Sequence, residues 1–223
     1  MSKKNVYPLS TIDVFGFIPN IPARGYISEL KNILGDCQSV LDVGCGENSP
    51  IGFINIKTVT GIDIYKPAIE ISKQKRLHHR YVIHDIRKLE TKFRAKSFDA
   101  CIALDVIEHL TKQEGKKLIK SMSKIARKRI IIFTPNGWVD QEGDHNKYQA
   151  HHSSWTVSEM EKLGFKVIGM FGPKLLRGEK HSLKIKPKII GGIISELSNY
   201  FYTRRHPIHA AAILCVKDID HKN

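Results

Sequence analysis

The stretch VLDVGCGENSP, residues 40–50, narrows most what this chain can fold into. Val40, Leu41 and Val43 form an apolar run that reads as a buried strand, and Asp42 interrupts it near its carboxyl end. Gly44 and Gly46 then permit a sharp backbone turn and leave room for a ligand to lie against it. Ser49 before Pro50 is the pattern of a helix N-cap followed by the first helical residue. Strand, tight turn and helix, in that order, is the layout of a nucleotide site at the carboxyl edge of a parallel sheet. Two common versions of that site fail here. The dinucleotide fingerprint G-x-G-x-x-G needs a third glycine where this chain has Ser49. A phosphate loop needs G-K-[ST], and none follows. The expected ligand therefore has no phosphate to seat on the helix. A turn of this kind also occurs as a plain connector, so the rest of the chain has to decide.

Strands and helices alternate along it. Residues 29–34 close a first amphipathic helix, with Gly35 as its stop. Strands are expected at residues 39–44, 58–64, 80–86, 97–105 and 128–135. Helices are expected from Pro67, and over residues 111–127, which are basic and amphipathic. The 97–105 run is apolar almost throughout, as a parallel strand covered on both faces should be. Beyond a polar loop, Thr156 and Glu159 make a capping box for a short helix that Gly164 ends. Two further strands follow at 165–172 and 209–218, with an insertion over residues 173–207 between them. The pattern predicts an α/β fold: a Rossmann-like, doubly wound sheet of seven strands in one domain over residues 1–223.

In such a sheet the ligand lies at the carboxyl ends of the strands. The polar residues there are Asp42 and Glu47 after the first strand, then Asp63, Asp85 and Asp105 after the next three. The whole chain has a formal net charge of +14, yet it gathers acids at this edge. A ligand with positive charge and with hydroxyl or amino groups suits them, and a diphosphate does not. Four cysteines, Cys37, Cys45, Cys101 and Cys215, lack C-x-x-C spacing and read as free thiols of a cytoplasmic protein. The apolar part of the first 22 residues is broken by Asp13, Pro19 and Pro22, which does not read as a signal peptide.

The chain resembles the class I S-adenosylmethionine-dependent methyltransferases. The likeness rests on VLDVGCGEN, on GIDI with its Asp63 17 residues past Gly46, on HDI, and on FDACIALDVIEHL. It covers roughly residues 29–170, and HAAAILCVKD fits an antiparallel last strand. The DVIEHL form, residues 105–110, is similar to a branch that includes ubiquinone-biosynthesis enzymes and many small-molecule methyltransferases. The resemblance implies S-adenosylmethionine as cofactor. It places Asp42 and the Gly44–Cys45–Gly46 backbone, with Glu47, at the amino-acid end. It places Asp63, beside Ile64, on the ribose hydroxyls, and Asp85 with Ile86 by the adenine. Leu104 and Asp105 line the sulfonium and the substrate mouth. Methyl transfer is an in-line displacement, and a hydroxyl acceptor gains from a base. His109, after Glu108 at the expected start of a helix, is the candidate base. A histidine there also serves simply to cap that helix.

The polar loop after the fifth strand carries His145, Tyr148, His151, His152 and Trp155, which read as substrate recognition. Their spacing matches no tight metal motif, and no metal is expected. Within the insertion, Ile189, Ile190, Ile193, Ile194, Leu197 and Phe201 approach a helical apolar stripe. Lys184, Lys186 and Lys188 precede it and Arg204 and Arg205 follow it. That pattern suits an anionic membrane surface, a lid over the site or a contact between copies. The leading expectation is methyl transfer to a small-molecule or lipid-linked acceptor, with oxygen as the accepting atom. RNA methylation is the alternative suggested by eight cations against one acid over residues 112–129. A cofactor-binding protein without catalysis is a third.

Overall fold

The computed structural model describes residues 22–141, 147–176 and 188–219. In chain order the main elements are α1 (Pro22–Ile33), β1 (Ser39–Val43), β2 (Thr58–Asp63), α2 (Lys66–Gln74), β3 (Arg80–Ile83), β4 (Phe98–Leu104), α3 (Lys112–Ile125), β5 (Ala126–Pro135), α4 (Val157–Lys162), β6 (Lys166–Pro173), α5 (Lys188–Ser198) and β7 (Ala210–Asp218). The seven strands form one sheet in the order β3-β2-β1-β4-β5-β7-β6. β1 pairs in parallel with β2 and β4, β2 with β3, and β4 with β5. β7 runs antiparallel to both β5 and β6. The chain moves outward from β1 to β3, then crosses back to β4 beside β1. The crevice between β1 and β4 is therefore the switch point, where an open α/β sheet binds ligands.

Side chains alternate across the pleat and feed two cores. On β1, Leu41 and Val43 join Leu118, Met122 and Trp155 on one face, whereas Val40 joins Tyr26, Leu30 and Phe133 on the other. β4 is buried at every interior position. The helix starts follow local chemistry. Thr111 Oγ1 accepts from the Glu114 N–H, and Glu114 Oε2 accepts from the Thr111 N–H at 3.1 Å. Thr156 and Glu159 make the same reciprocal cap on α4.

Several local expectations differ from the structure. Ser49 does cap, its Oγ accepting from the Ile51 N–H, but only a 3₁₀ turn, Pro50–Phe53, follows. β3 stops at Ile83 because Asp85 caps a 3₁₀ segment, Ile86–Thr91, instead of extending the strand. His109 closes a 3₁₀ turn, Ile107–His109, and does not begin α3, whose cap is Thr111. The four cysteines are buried and free. No helix among the described residues is long and apolar enough to cross a membrane.

Candidate active site

The glycine turn is held from below. The N–H groups of Gly44 and Cys45 both donate to the Ile62 carbonyl, at 2.8 and 3.0 Å. Gly44 and Gly46 have φ of +68° and +52°, in the left-handed region that disfavours a side chain. The two glycines face different surroundings. A Cβ on Gly44 would lie 2.7 Å from Val106 Cγ2, whereas a Cβ on Gly46 would meet nothing within 4 Å. Gly46 borders open space, and that space is a cavity of about 320 Å³ at the switch point.

Asp63 stands at one end of the cavity. Its Oδ2 accepts from the Gly46 N–H at 2.9 Å and its Oδ1 from the Tyr65 N–H at 2.8 Å. Each oxygen keeps a lone pair for a ligand hydroxyl. Burial pushes this carboxyl above its ordinary value, against the pull of those backbone donors. Ile64 and Ile86 add apolar wall. Asp85 also reaches the cavity, but its carboxylate is occupied. It caps its own 3₁₀ segment and takes Arg87 Nη2 at 2.7 Å, and these Arg87 bonds hold it below its ordinary value.

Asp105 stands at the other end, at the tip of β4, with φ of +54°. A non-glycine residue in that region is strained, and such strain collects at functional sites. The Asp105 Oδ1 is buried without a hydrogen-bond partner, as is Oε1 of Glu108. Burial, and then the nearby Glu108, push Asp105 well above its ordinary value. Burial likewise pushes Glu108 up to about 7, although Thr134 Oγ1 donates to its Oε2 at 3.0 Å. Among the described residues these two carboxyls, each with a buried and unused oxygen, have no positive partner.

The histidine loop is stapled to this end. The N–H groups of His152 and Ser153 donate to the Glu108 carbonyl at 2.8 and 3.0 Å. His109 lines the cavity, and its Nδ1 donates to the Ala150 carbonyl at 3.2 Å, so its Nε2 carries the free lone pair. Burial pushes His109 down to about 4, leaving the ring neutral at pH 7. His151 Nδ1 donates to the Val139 carbonyl at 2.7 Å, which fixes the same tautomer. Ligand atoms of Glu108, His109 and His151 lie within 4.8 Å of one another, close enough to hold a cation. Residues 42 apart in sequence meet there, which is why spacing gave no metal motif.

Of the other expected site residues, Tyr148 and His152 line the cavity. Trp155 does not: it is 1% exposed, in the core, and its Nε1 donates to the Ile107 carbonyl at 3.2 Å. Asp42 is buried beneath the turn, taken by His78 Nε2 at 2.7 Å, and does not border the cavity. Cys45 turns its Sγ towards Gly61 and His78, so only its backbone is near the site. Glu47 and Leu104 also lie off the cavity wall, and His151 stands behind it. His145 lies outside the described residues. Sequence reasoning missed His78, Arg87 and Tyr65. His78 could not be found from local pattern, but Arg87, two residues after Asp85, could.

Residues 41–133 match the family model described as a methyltransferase domain, so the match covers both ends of the cavity. The chain is 30% identical over 113 residues to a tRNA (carboxymethyluridine(34)-5-O)-methyltransferase of Xenopus tropicalis, covering 48% of this chain and 17% of that protein. It is 23% identical over 129 residues to an uncharacterised protein of Methanocaldococcus jannaschii, covering 58% of this chain and 55% of the other. The match thus spans about half, or less, of the curated relatives' own lengths. Among solved structures, an S-adenosylmethionine-dependent methyltransferase from Archaeoglobus fulgidus superposes with a TM-score of 0.56 at 19% identity, covering 88% of this chain and 94% of that one. The fold is therefore that of the class I methyltransferases.

Proposed function

We propose that this chain is a class I S-adenosylmethionine-dependent methyltransferase acting on an oxygen of a small-molecule or lipid-linked acceptor. The observation that carries the reading is the make-up of the cavity. A backbone-held carboxylate, Asp63, stands at one end, and a strained, partnerless one, Asp105, stands at the other. These residues fit the cofactor. Gly46 leaves the room that a Cβ would take. Asp63 accepts two neighbouring hydroxyls, and Asp105 supplies the counter-charge for a cationic centre. Ile64 and Ile86 offer apolar wall for a base. Asp85 contributes shape and its own cap, since Arg87 already takes its oxygens.

When bound, S-adenosylmethionine would supply an electrophilic methyl carbon on a sulfonium, with the neutral thioether as its leaving group. The protein's own work is to orient the acceptor and exclude water. His109 Nε2 takes the acceptor's proton, with Tyr148 and His152 flanking the mouth. The cluster of Glu108, His109 and His151 favours a second reading, in which a divalent cation lowers the acceptor's proton affinity. His109→Ala should cut turnover and leave S-adenosylhomocysteine affinity intact. Exhaustive chelation of the wild type separates the readings. Full activity leaves His109 as the base, and loss restored by added metal makes it a ligand.

The likeness of residues 105–110 to the ubiquinone-biosynthesis branch directs the acceptor reading to small or lipid-linked molecules. The relative that acts on tRNA, and the basic α3, support RNA as the alternative. Incubation with methyl-labelled S-adenosylmethionine and extracts of the source cells tests it. Label in small or organic-soluble molecules is the expected result. Label in nuclease-sensitive material would overturn the acceptor reading and leave the cofactor reading standing.

A further inference from the structure

α5 is packed inside out. Its buried positions are Gly191, Gly192, Ser195 and, beyond its end, Asn199 and Thr203. Its exposed positions are apolar: Leu197, Tyr200 and Phe201 are 53%, 69% and 70% exposed, and Ile190, Ile193 and Ile194 are exposed beside them. An ordinary surface helix does the opposite.

The orientation is locked by the strand beneath. Ser195 Oγ donates to the Phe171 carbonyl at 3.0 Å, and Asn199 Oδ1 accepts from the Gly172 N–H at 3.3 Å. Thr203 Oγ1 completes the row by donating to Asn199 Oδ1 at 2.9 Å. β6 offers glycines where the helix crosses it. A Cβ on Gly169 would lie 1.9 Å from the Thr203 carbonyl oxygen, and one on Gly172 would lie 2.5 Å from Ser195 Oγ. Rolling the helix to bury its isoleucines would break these bonds. The apolar face is thus held outward by specific contacts, and exposed patches of this kind mark interaction sites.

The charge of the flanking sequence selects the partner. From Lys174 to Arg205 the chain carries eight lysines and arginines against two acids, Glu179 and Glu196. A second copy would bring the same basic stretch of sequence, so like charge opposes self-association through α5. Isoleucine and leucine in the middle, aromatic residues at one end and cations on both sides is the composition of a helix lying in a bilayer interface. β6 is parallel to β5, so this segment leaves the sheet at the edge where the cavity lies.

We propose that the outward face of α5 docks the protein on an anionic lipid surface. The proposal does not depend on the acceptor's identity. The test is flotation of the full chain with phosphatidylglycerol-containing vesicles and with neutral phosphatidylcholine vesicles, for the wild type and for Leu197→Asp and Phe201→Asp. Both positions are exposed, so the variants should fold and keep wild-type S-adenosylhomocysteine affinity, which serves as the control. The expected result is flotation with anionic vesicles only, weakened by salt and reduced at least tenfold in the variants. Failure to float, equal flotation with neutral vesicles, or variants that float like the wild type would overturn it. So would a dimer in solution that either variant dissociates, because the face would then belong to a second copy.

Discussion

Gly44 and Gly46 are two residues apart and share a left-handed backbone, yet they answer to different constraints. Both border the cavity, but a side chain on Gly44 would run into Val106, whereas Gly46 faces open space. Gly44→Ala should therefore cost roughly 2–4 kcal/mol of stability, from backbone strain and a methyl forced into packed atoms. Gly46→Ala should cost only about 1–2 kcal/mol, the strain alone. Its methyl occupies ligand space, so S-adenosylhomocysteine affinity should fall at least about tenfold, or about 1.4 kcal/mol. Denaturant titration and calorimetry read the two effects separately. Unchanged affinity in Gly46→Ala would move the ligand away from the turn. At this scale the sequence is only half legible. Asp63 and Asp105 point into the cavity, as their positions at strand ends suggest. Asp42 lies deeper, level with Gly61 and Ile102 in the sheet, and its oxygen goes to His78, 36 residues away, which no local pattern reveals.

The elements themselves follow from short signals: apolar runs for β1, β4 and β5, a proline or a capping box at helix starts, a glycine after α4. What those signals leave out is how one element lies on another. Trp155 looks like a binding residue in sequence because it follows two histidines and two serines in a polar loop. In the fold it closes the core over α3, where a Cβ on Gly115 would lie 2.5 Å from its Cζ2. Gly115 is helical and has no conformational need for glycine, so its role is to admit the indole. Gly115→Ala would gain roughly 1 kcal/mol in helix propensity. It should nevertheless lose stability, by about 1–3 kcal/mol, because the ring must shift. The shift would also pull on the loop that Ser153 and Trp155 tie to the Ile107 carbonyl. Thermal melting together with KM for the acceptor tests this. A more stable variant would mean that the indole has room to move. The same logic explains α5. Its stripe was legible, but the direction it faces depends on Gly169 and Gly172, in a different element.

At the scale of the molecule, the cavity carries the opposite sign from the chain's net charge. A chain of net charge +14 puts Asp63, Asp85 and Asp105 around one cavity, and Arg87 there is already paired with Asp85 and Glu114. The surface invites anions, and the cavity invites a cation with hydroxyl groups. That contrast decides between the cofactors that a glycine turn at a switch point can serve. A dinucleotide would bring a diphosphate against three carboxylates, with no third glycine and no free arginine at the turn. S-adenosylhomocysteine at a hundred times its Kd should stabilise the fold by about 2.7 kcal/mol. For a domain of this size that raises Tm by roughly 5–10 °C. NAD or ATP at the same concentration should leave Tm unchanged. Differential scanning calorimetry of the full chain makes the comparison directly. A shift with NAD and none with S-adenosylhomocysteine would mean that the acids around the cavity are a structural cap set, and that the ligand is held by the cationic surface instead.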